Sequence, residues 1–147
     1  MILDAQNQLA NSLAATTNAT TVSTNSADCG NTTPKRAIGD GEPLCVVFCI
    51  ESASGSADTF TLQVISATDA ALTASVKIVQ RTRVLTEAEL LAAKIVVVNI
   101  PPGEPTQRYL GASTILGASD ALTYSAFVVP LSMVDKLQDY ATRIVID

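Results

Sequence analysis

The stretch 44-LCVVFCIE-51 decides the fold class. Apolar side chains occupy both the odd and the even positions from Leu44 to Ile50, so both faces of an extended chain would be apolar. Such a run predicts a central β-strand that is covered on each side. Cys45 and Cys49 share one face, and at ~3.3 Å per residue their Cα atoms would lie roughly 13 Å apart, too far for a disulfide. We expect reduced thiols that pack as small hydrophobic groups.

Further strands are predicted on both sides of this run. Residues 59–66 alternate cleanly, with Phe60, Leu62 and Val64 facing a core and polar side chains facing away. In 75–84, Val76 and Ile78 are predicted to face the core, with Val84 as a further candidate. The predicted strands are 16–24 (weak), 44–51, 59–66, 75–84, 94–100, 107–114, 122–129 and 143–146.

The count and spacing of these segments indicate the architecture. The capping pattern 86-TEAE-89 predicts one short helix, and no other stretch between strands is long enough for a parallel α/β fold. The prediction is an all-β, antiparallel, jelly-roll-like sandwich of about eight strands. Residues 1–36 are assigned to an extended N-terminal arm with one weak strand, 37–130 to the β-sandwich core and 131–147 to a C-terminal extension.

Composition disfavours several classes of function. The 147 residues carry a net charge of −5, which disfavours nucleic acid as a partner because phosphates require a basic surface. The chain contains no histidine, the usual general base and transition-metal ligand, so we expect no enzyme activity, metal or cofactor. No apolar run reaches the ~20 residues of a membrane span, and the N-terminus lacks the pattern of a signal peptide, so we expect no membrane partner and synthesis in the cytoplasm.

Paired acids leave one catalytic alternative open. The pairs are Asp40/Glu42, Glu87/Glu89 and Asp135/Asp139. A hydrolase that uses two carboxylates would need such a pair in a cleft that raises one pKa. All three pairs fall in predicted loops or on exposed helix, so solvated acids are the favoured interpretation.

The pair Arg108-Tyr109 is the most unusual local feature. It follows the turn-forming segment 101-PPGEPTQ-107. Arginine and tyrosine are favoured types at the energetic centres of protein interfaces, so the pair is a candidate interface anchor. The alternative is that Tyr109 simply packs in the core, and the sequence leaves both open.

Several segments together resemble a known family. They are MILDA (1–5), the turn Asp28-Cys29-Gly30, IGDGEPL (38–44), FTLQVISATDAALT (60–73), PPGEPTQRYLGAS (101–113) and ALTYSAFVVP (121–130). In order and spacing they resemble the small capsid cement, or decoration, proteins of tailed bacteriophages. The tail 131–147 lies outside the resemblance.

The resemblance implies a structural role on the virion. Such proteins sit on the outer capsid surface, staple neighbouring major capsid subunits, and associate with themselves, here as a favoured homodimer or alternatively a homotrimer. Met1, Ile2, Leu3 and Asp4 then become candidate contacts, because an extended arm can add to the edge of a neighbouring sheet. The alternative to capsid reinforcement is a carbohydrate-binding or host-attachment module on the virion surface.

Overall fold

The computed structural model describes residues 7–30, 42–104, 106–134 and 143–146. Within these ranges the chain forms ten strands and two short helices. In chain order they are β1 (Gln8–Ala15), β2 (Thr20–Val22), β3 (Ala27–Asp28), β4 (Leu44–Ser54), β5 (Phe60–Ala67), β6 (Lys77–Arg81), α1 (Glu87–Ala93), β7 (Ile95–Asn99), β8 (Tyr109–Leu116), β9 (Ala121–Pro130), α2 (Leu131–Val134) and β10 (Arg143–Ile146).

The strands form two sheets that enclose one core. The first sheet has the order β1-β9-β4-β7-β10, and the second has the order β2-β8-β5-β6, with β3 also pairing with β8. Among the described strands, only β10 and β7 pair in parallel. Without the short β3 and the terminal β10, the remaining eight strands follow the orders 1-8-3-6 and 2-7-4-5 of a jelly roll. The predicted all-β antiparallel sandwich is confirmed.

Strand β4 is central and covered on both faces, as predicted. Val46 and Phe48 lie in the core between the sheets, where the Phe48 ring stands 5.7 Å from that of Tyr124, centroid to centroid. On the other face, Cys45 and Val47 belong to a second apolar cluster that includes Val134 of α2. Fully burying a side chain of this size contributes about 1.5–3 kcal/mol, which explains why this run dominates the fold.

The prediction of an N-terminal arm with one weak strand is wrong for residues 8–28. Three strands lie there, and β1 pairs with β9 along the edge of the first sheet. Leu9 and Ala10 are completely buried in the core. The signal was weak because two irregularities break the β1 register and Ser12 adopts a positive φ of 45°, which destroys the period of two that marks a strand.

The predicted orientation of Val76 and Ile78 is also wrong. Their exposed fractions are 45% and 53%, and Val84 is 56% exposed. Ile78 pairs with Ile65, whose side chain lies on the outer face of the second sheet. A bulge between the Val64 and Ile65 pairs shifts the register of β6, and one residue of slip exchanges the two faces of a strand.

The predicted short helix is confirmed as α1. The Thr86 side chain accepts a hydrogen bond from the backbone N–H of Glu89, and the Glu89 carboxylate accepts one from the Thr86 backbone, which completes a capping box. The short terminal strand predicted at 143–146 is β10, which pairs with β7. Within the predicted C-terminal extension, β10 is thus a strand of the first sheet, and Val134 of α2 packs on the outer face of that sheet.

Candidate protein-interaction site

A tight turn positions the first charged group of the site. Gly30 has a positive φ of 89°, and its backbone N–H donates to Asp28 Oδ1 at 2.9 Å. This turn follows β3, which pairs with β8 so that Asp28 stands opposite Tyr109. The Asp28 carboxylate is thereby placed beside the first residues of β8.

Arg108 binds this carboxylate through two hydrogen bonds. Its Nε donates to Asp28 Oδ1 at 3.0 Å and its Nη2 donates to Oδ2 at 2.8 Å, the two-pronged geometry that gives arginine pairs their directionality. The hydrogen bonds to Asp28 and the charge of its carboxylate raise the pKa of Arg108 above its usual value. The guanidinium carbon lies 5.0 Å from the centroid of the Tyr109 ring, within range of a cation–π contact. Arg108 is exposed, yet its orientation is fixed on two sides.

Tyr109 is half-buried on the outer face of the second sheet. It packs against a small apolar cluster of Ile65, Ala67 and Leu72. Leu72 reaches this face because Gly111 has no side chain: a Cβ at Gly111 would stand only 2.2 Å from Leu72 Cδ1. Tyr109 therefore packs on the outer face of the sheet and not in the central core, and its role as an interface anchor stays a prediction.

The loop that carries Leu72 is held by one carboxylate. Asp69 Oδ1 accepts backbone hydrogen bonds from Thr73 at 2.9 Å and from Ala74 at 2.7 Å. These bonds, led by the one from Ala74, lower the pKa of the Asp69 carboxyl. Nearby, Lys77 Nζ donates to Thr106 Oγ1 at 3.5 Å, which links the start of β6 to the segment before β8.

Two exposed apolar side chains complete the surface. Val76 and Ile78 flank Lys77, and both are exposed. Ile78 pairs with Ile65 of β5 and Tyr109 pairs with Ala67 of the same strand, so both stand on the outer face on opposite sides of β5. Neighbouring strands are ~4.8 Å apart, which separates the two backbones by roughly 10 Å. We call Val76, Ile78, Arg108 and Tyr109 the Tyr109 patch.

Comparison with known proteins identifies the family. The Bbp16 family model matches residues 9–129. The chain belongs to the Bbp16 family. The family name indicates a phage-related protein. No curated protein matches the chain significantly.

This Bbp16 family member brings only part of the predicted site together. Arg108 and Tyr109 lie side by side in the patch, whereas Met1, Ile2, Leu3 and Asp4 lie outside the described residues. Sequence reasoning missed Val76 and Ile78 because it assigned them to the core. The cations at Lys77 and Arg81 in the same stretch were the available signal, since charged side chains are typical of an edge strand.

Of the three acid pairs, only Glu87/Glu89 lies wholly within the described residues of this Bbp16 family member. Glu89 accepts from Arg83 at 2.5 Å, and this hydrogen bond, followed by one from the Thr86 backbone, lowers the pKa of Glu89 to about 2. Of the other acids, Glu42 is exposed, Glu87 accepts from the Gly55 N–H, and Asp40, Asp135 and Asp139 lie outside the described residues. Within the part of the chain that the structure covers, no three His, Cys, Asp or Glu side chains are grouped to hold a metal ion. None of the described helices is long and apolar enough to cross a membrane.

The cysteines on β4 behave as apolar side chains in this Bbp16 fold. Cys45 is fully buried, and burial raises the pKa of its thiol to about 12. Burial also raises the pKa of Cys49, and the nearby charge of Glu51 adds to the effect. Both thiols are free, and neither is suited to act as a nucleophile because the thiolate form is suppressed.

Proposed function

We propose that this protein is a structural component of a phage virion that binds the outer surface of the capsid. In this role it holds neighbouring major capsid subunits together and stabilises the shell, without catalysing a reaction. The observation that carries the proposal is the Tyr109 patch, in which exposed apolar side chains lie across β5 from an arginine and a tyrosine already fixed in orientation.

The composition of the patch suits binding to another protein. Tyrosine and arginine are enriched among residues that dominate interface energies, and apolar side chains around them exclude water. Because Asp28 and the Tyr109 ring already fix the Arg108 side chain, little conformational entropy is lost when a partner binds. Burying the exposed parts of Val76 and Ile78 adds about 1 kcal/mol each at most. One such contact is modest, but many copies on one shell act together.

Membership of the Bbp16 family supports a phage context, and the resemblance to capsid cement proteins supplies the location and the partner. Under this proposal the protein is made in the bacterial host cytoplasm and acts on the capsid exterior. Its partners are the major capsid protein and a second copy of itself. The net charge of −5 is consistent with a surface that does not face packaged nucleic acid.

The test is attachment to capsids assembled without this protein, measured by co-sedimentation and located by electron microscopy. Wild-type protein should decorate the outer surface and raise the temperature at which the capsids break. Tyr109→Ser and Arg108→Ala should each weaken attachment, and the tyrosine change should cost at least about 2 kcal/mol, or about 30-fold in affinity.

Leu91→Ala is the control for Tyr109→Ser, because it truncates a partly exposed apolar side chain that lies on α1, outside the Tyr109 patch. It should attach like the wild type, and circular dichroism should show that all variants are folded. Wild-type protein that fails to bind capsids would overturn the proposal. Selective binding to a glycan array without capsid attachment would replace it with the carbohydrate-binding alternative.

A further inference from the structure

Strand β6 is an edge of the second sheet with an unusual surface. It pairs with β5 and has no second neighbour among the described strands. The described residues include six exposed large hydrophobic side chains, and three of them, Val76, Ile78 and Val84, lie within or beside this strand. An exposed apolar edge is a template on which another extended chain can pair.

The backbone of this edge is partly capped by its own side chains. The Thr82 N–H donates inward to Leu62 O at 2.9 Å, as a paired strand should. The Arg81 N–H instead donates to the side-chain oxygen of Gln80 at 3.1 Å. The Val84 carbonyl accepts from Arg83 Nη1 at 3.1 Å. These side chains satisfy backbone groups that an added strand would otherwise pair, so an added strand would replace them with main-chain hydrogen bonds.

The edge is also basic in an acidic protein. Lys77, Arg81 and Arg83 supply three of the nine Lys and Arg residues within seven positions, although the chain carries a net charge of −5. Arg83 pairs with Glu89, but no acidic side chain in the described ranges pairs with Lys77 or Arg81. Two cations therefore remain to meet a partner's charges.

From these observations we infer that β6 binds an extended, acidic segment of another protein, which adds to the second sheet as a strand. Main-chain hydrogen bonds supply the pairing, carboxylates of the segment meet Lys77 and Arg81, and its apolar residues cover Val76 and Ile78. Only the identification of the partner as a capsid subunit rests on the proposed function.

Protection of the edge against aggregation explains the cations of β6 but not its exposed apolar side chains. Cations on an edge strand keep two copies of that edge apart, since like charges repel. Protection does not require the exposed apolar side chains at Val76 and Ile78, which would favour the aggregation that the charges prevent. Cations together with apolar groups select a partner that is both acidic and apolar, and they disfavour pairing with a second β6.

The direct test uses a capped peptide of about eight residues that carries valine and glutamate on both faces of an extended chain, because Ile78 and Arg81 share one face and Lys77 lies on the other. It is compared with the same peptide carrying lysine for glutamate. Fluorescence anisotropy measures binding to the full chain, and amide NMR shifts map the contact. The acidic peptide should bind with shifts centred on residues 76–84, weaken at high salt, and bind more tightly than the basic peptide. Equal binding of both peptides, no binding of either, or shifts centred elsewhere would overturn the inference.

Matched variants sharpen the result. Arg81→Glu should weaken binding of the acidic peptide at least about fivefold, whereas Lys94→Glu makes the same charge change at an exposed cation off this edge and should not. Ile78→Thr should weaken binding, whereas Ile115→Thr alters an exposed isoleucine on β8 and should not. If both members of each pair behave alike, β6 is not the binding surface.

The capsid assay separates this inference from the proposed function. Capsid attachment that is sensitive to Tyr109→Ser, with no peptide bound at β6, would refute the edge inference and leave the proposed function standing. Peptide binding at β6 by a protein that does not attach to capsids would support the edge inference and refute the proposed function.

Discussion

Replacing Asp120 by alanine should destabilise the sandwich strongly, although the residue lies in a turn. Asp120 is completely buried. Its Oδ1 accepts the backbone N–H groups of Ala57 and Asp58, both at 3.1 Å. Its Oδ2 accepts the backbone N–H of Thr59 at 2.9 Å and the Thr59 hydroxyl at 3.1 Å. One carboxylate thus joins the turn between β8 and β9 to the segment that enters β5.

The magnitude follows from these four bonds. Asp120→Ala leaves three backbone donors and one hydroxyl without their acceptor. Water can reach some of them, because Ala57, Asp58 and Thr59 are exposed, so each loss falls near the ~1 kcal/mol typical of a hydrogen bond and below the full penalty of a buried unpaired donor. The expected loss is about 4 kcal/mol, which lowers the melting temperature by roughly 8–16 °C in a chain of this size.

Urea denaturation followed by circular dichroism measures this loss. Asp69→Ala is the matched control, because Asp69 also accepts two backbone N–H groups and one hydroxyl, from Thr73 and Ala74, but within one partly exposed loop. It should cost clearly less than Asp120→Ala, because the solvent-exposed groups of this loop can bond to water instead. A loss at Asp120 below about 1 kcal/mol, or no larger than at Asp69, would refute the view that this carboxylate joins two parts of the fold.

The same carboxylate predicts a pH dependence. Burial acts to raise the pKa of Asp120, but hydrogen bonds led by those from Thr59 and Asp58 outweigh it and hold the pKa below its usual value. The stabilisation is therefore complete above the unfolded pKa of ~3.9 and is lost as the pH falls through the folded pKa. Asp120→Asn should flatten the fall in stability below about pH 4. The pKa of Glu89 is also lowered, so only the difference between the wild type and Asp120→Asn isolates the contribution of Asp120.

Three further changes have definite expected results. Gln63 is buried, its Nε2 has no hydrogen-bond partner, and its Oε1 accepts a long bond of 3.5 Å from the Ser113 hydroxyl. Losing this weak bond offsets the relief of the unpaired Nε2, so Gln63→Met should change stability by less than about 1 kcal/mol in urea denaturation, and a larger loss would contradict this account. Deleting residues 1–10 removes Leu9 from the core and should cost at least about 3 kcal/mol, whereas deleting residues 1–6 leaves Leu9 in place. Equal denaturation midpoints for the two deletion variants would contradict the β1 assignment. At pH 8, Cys45 should resist a thiol reagent in the folded protein while the partly exposed Cys49 reacts slowly, and rapid labelling of Cys45 would exclude its burial.

The elements that the sequence predicted well are those with an unbroken local pattern. The apolar run of β4, the alternation of β5 and the capping box of α1 each depend on residues close together in the chain, and each was confirmed. Strand β1 was not predicted because its pattern is broken twice, at the register shifts on either side of Ala10. Its membership of the sheet comes instead from β9, more than one hundred residues away in sequence, since Gln8 stands opposite Phe127.

The candidate site was harder to predict than the fold, because it is built from three segments that are far apart in sequence. Residue type alone singled out Arg108 and Tyr109, but Asp28, which fixes their geometry, is 80 positions away. Alternation in 75–84 groups Val76 with Ile78, yet it cannot tell which face of the strand meets the core, and the bulge beside Ile78 decides that. Strand pairing can expose apolar side chains that the sequence pattern predicts to be buried. Such an exposed apolar surface can therefore be identified only when the strand register is known. The charged neighbours of an apolar strand are then the best local sign that its apolar side chains face a partner instead of the core.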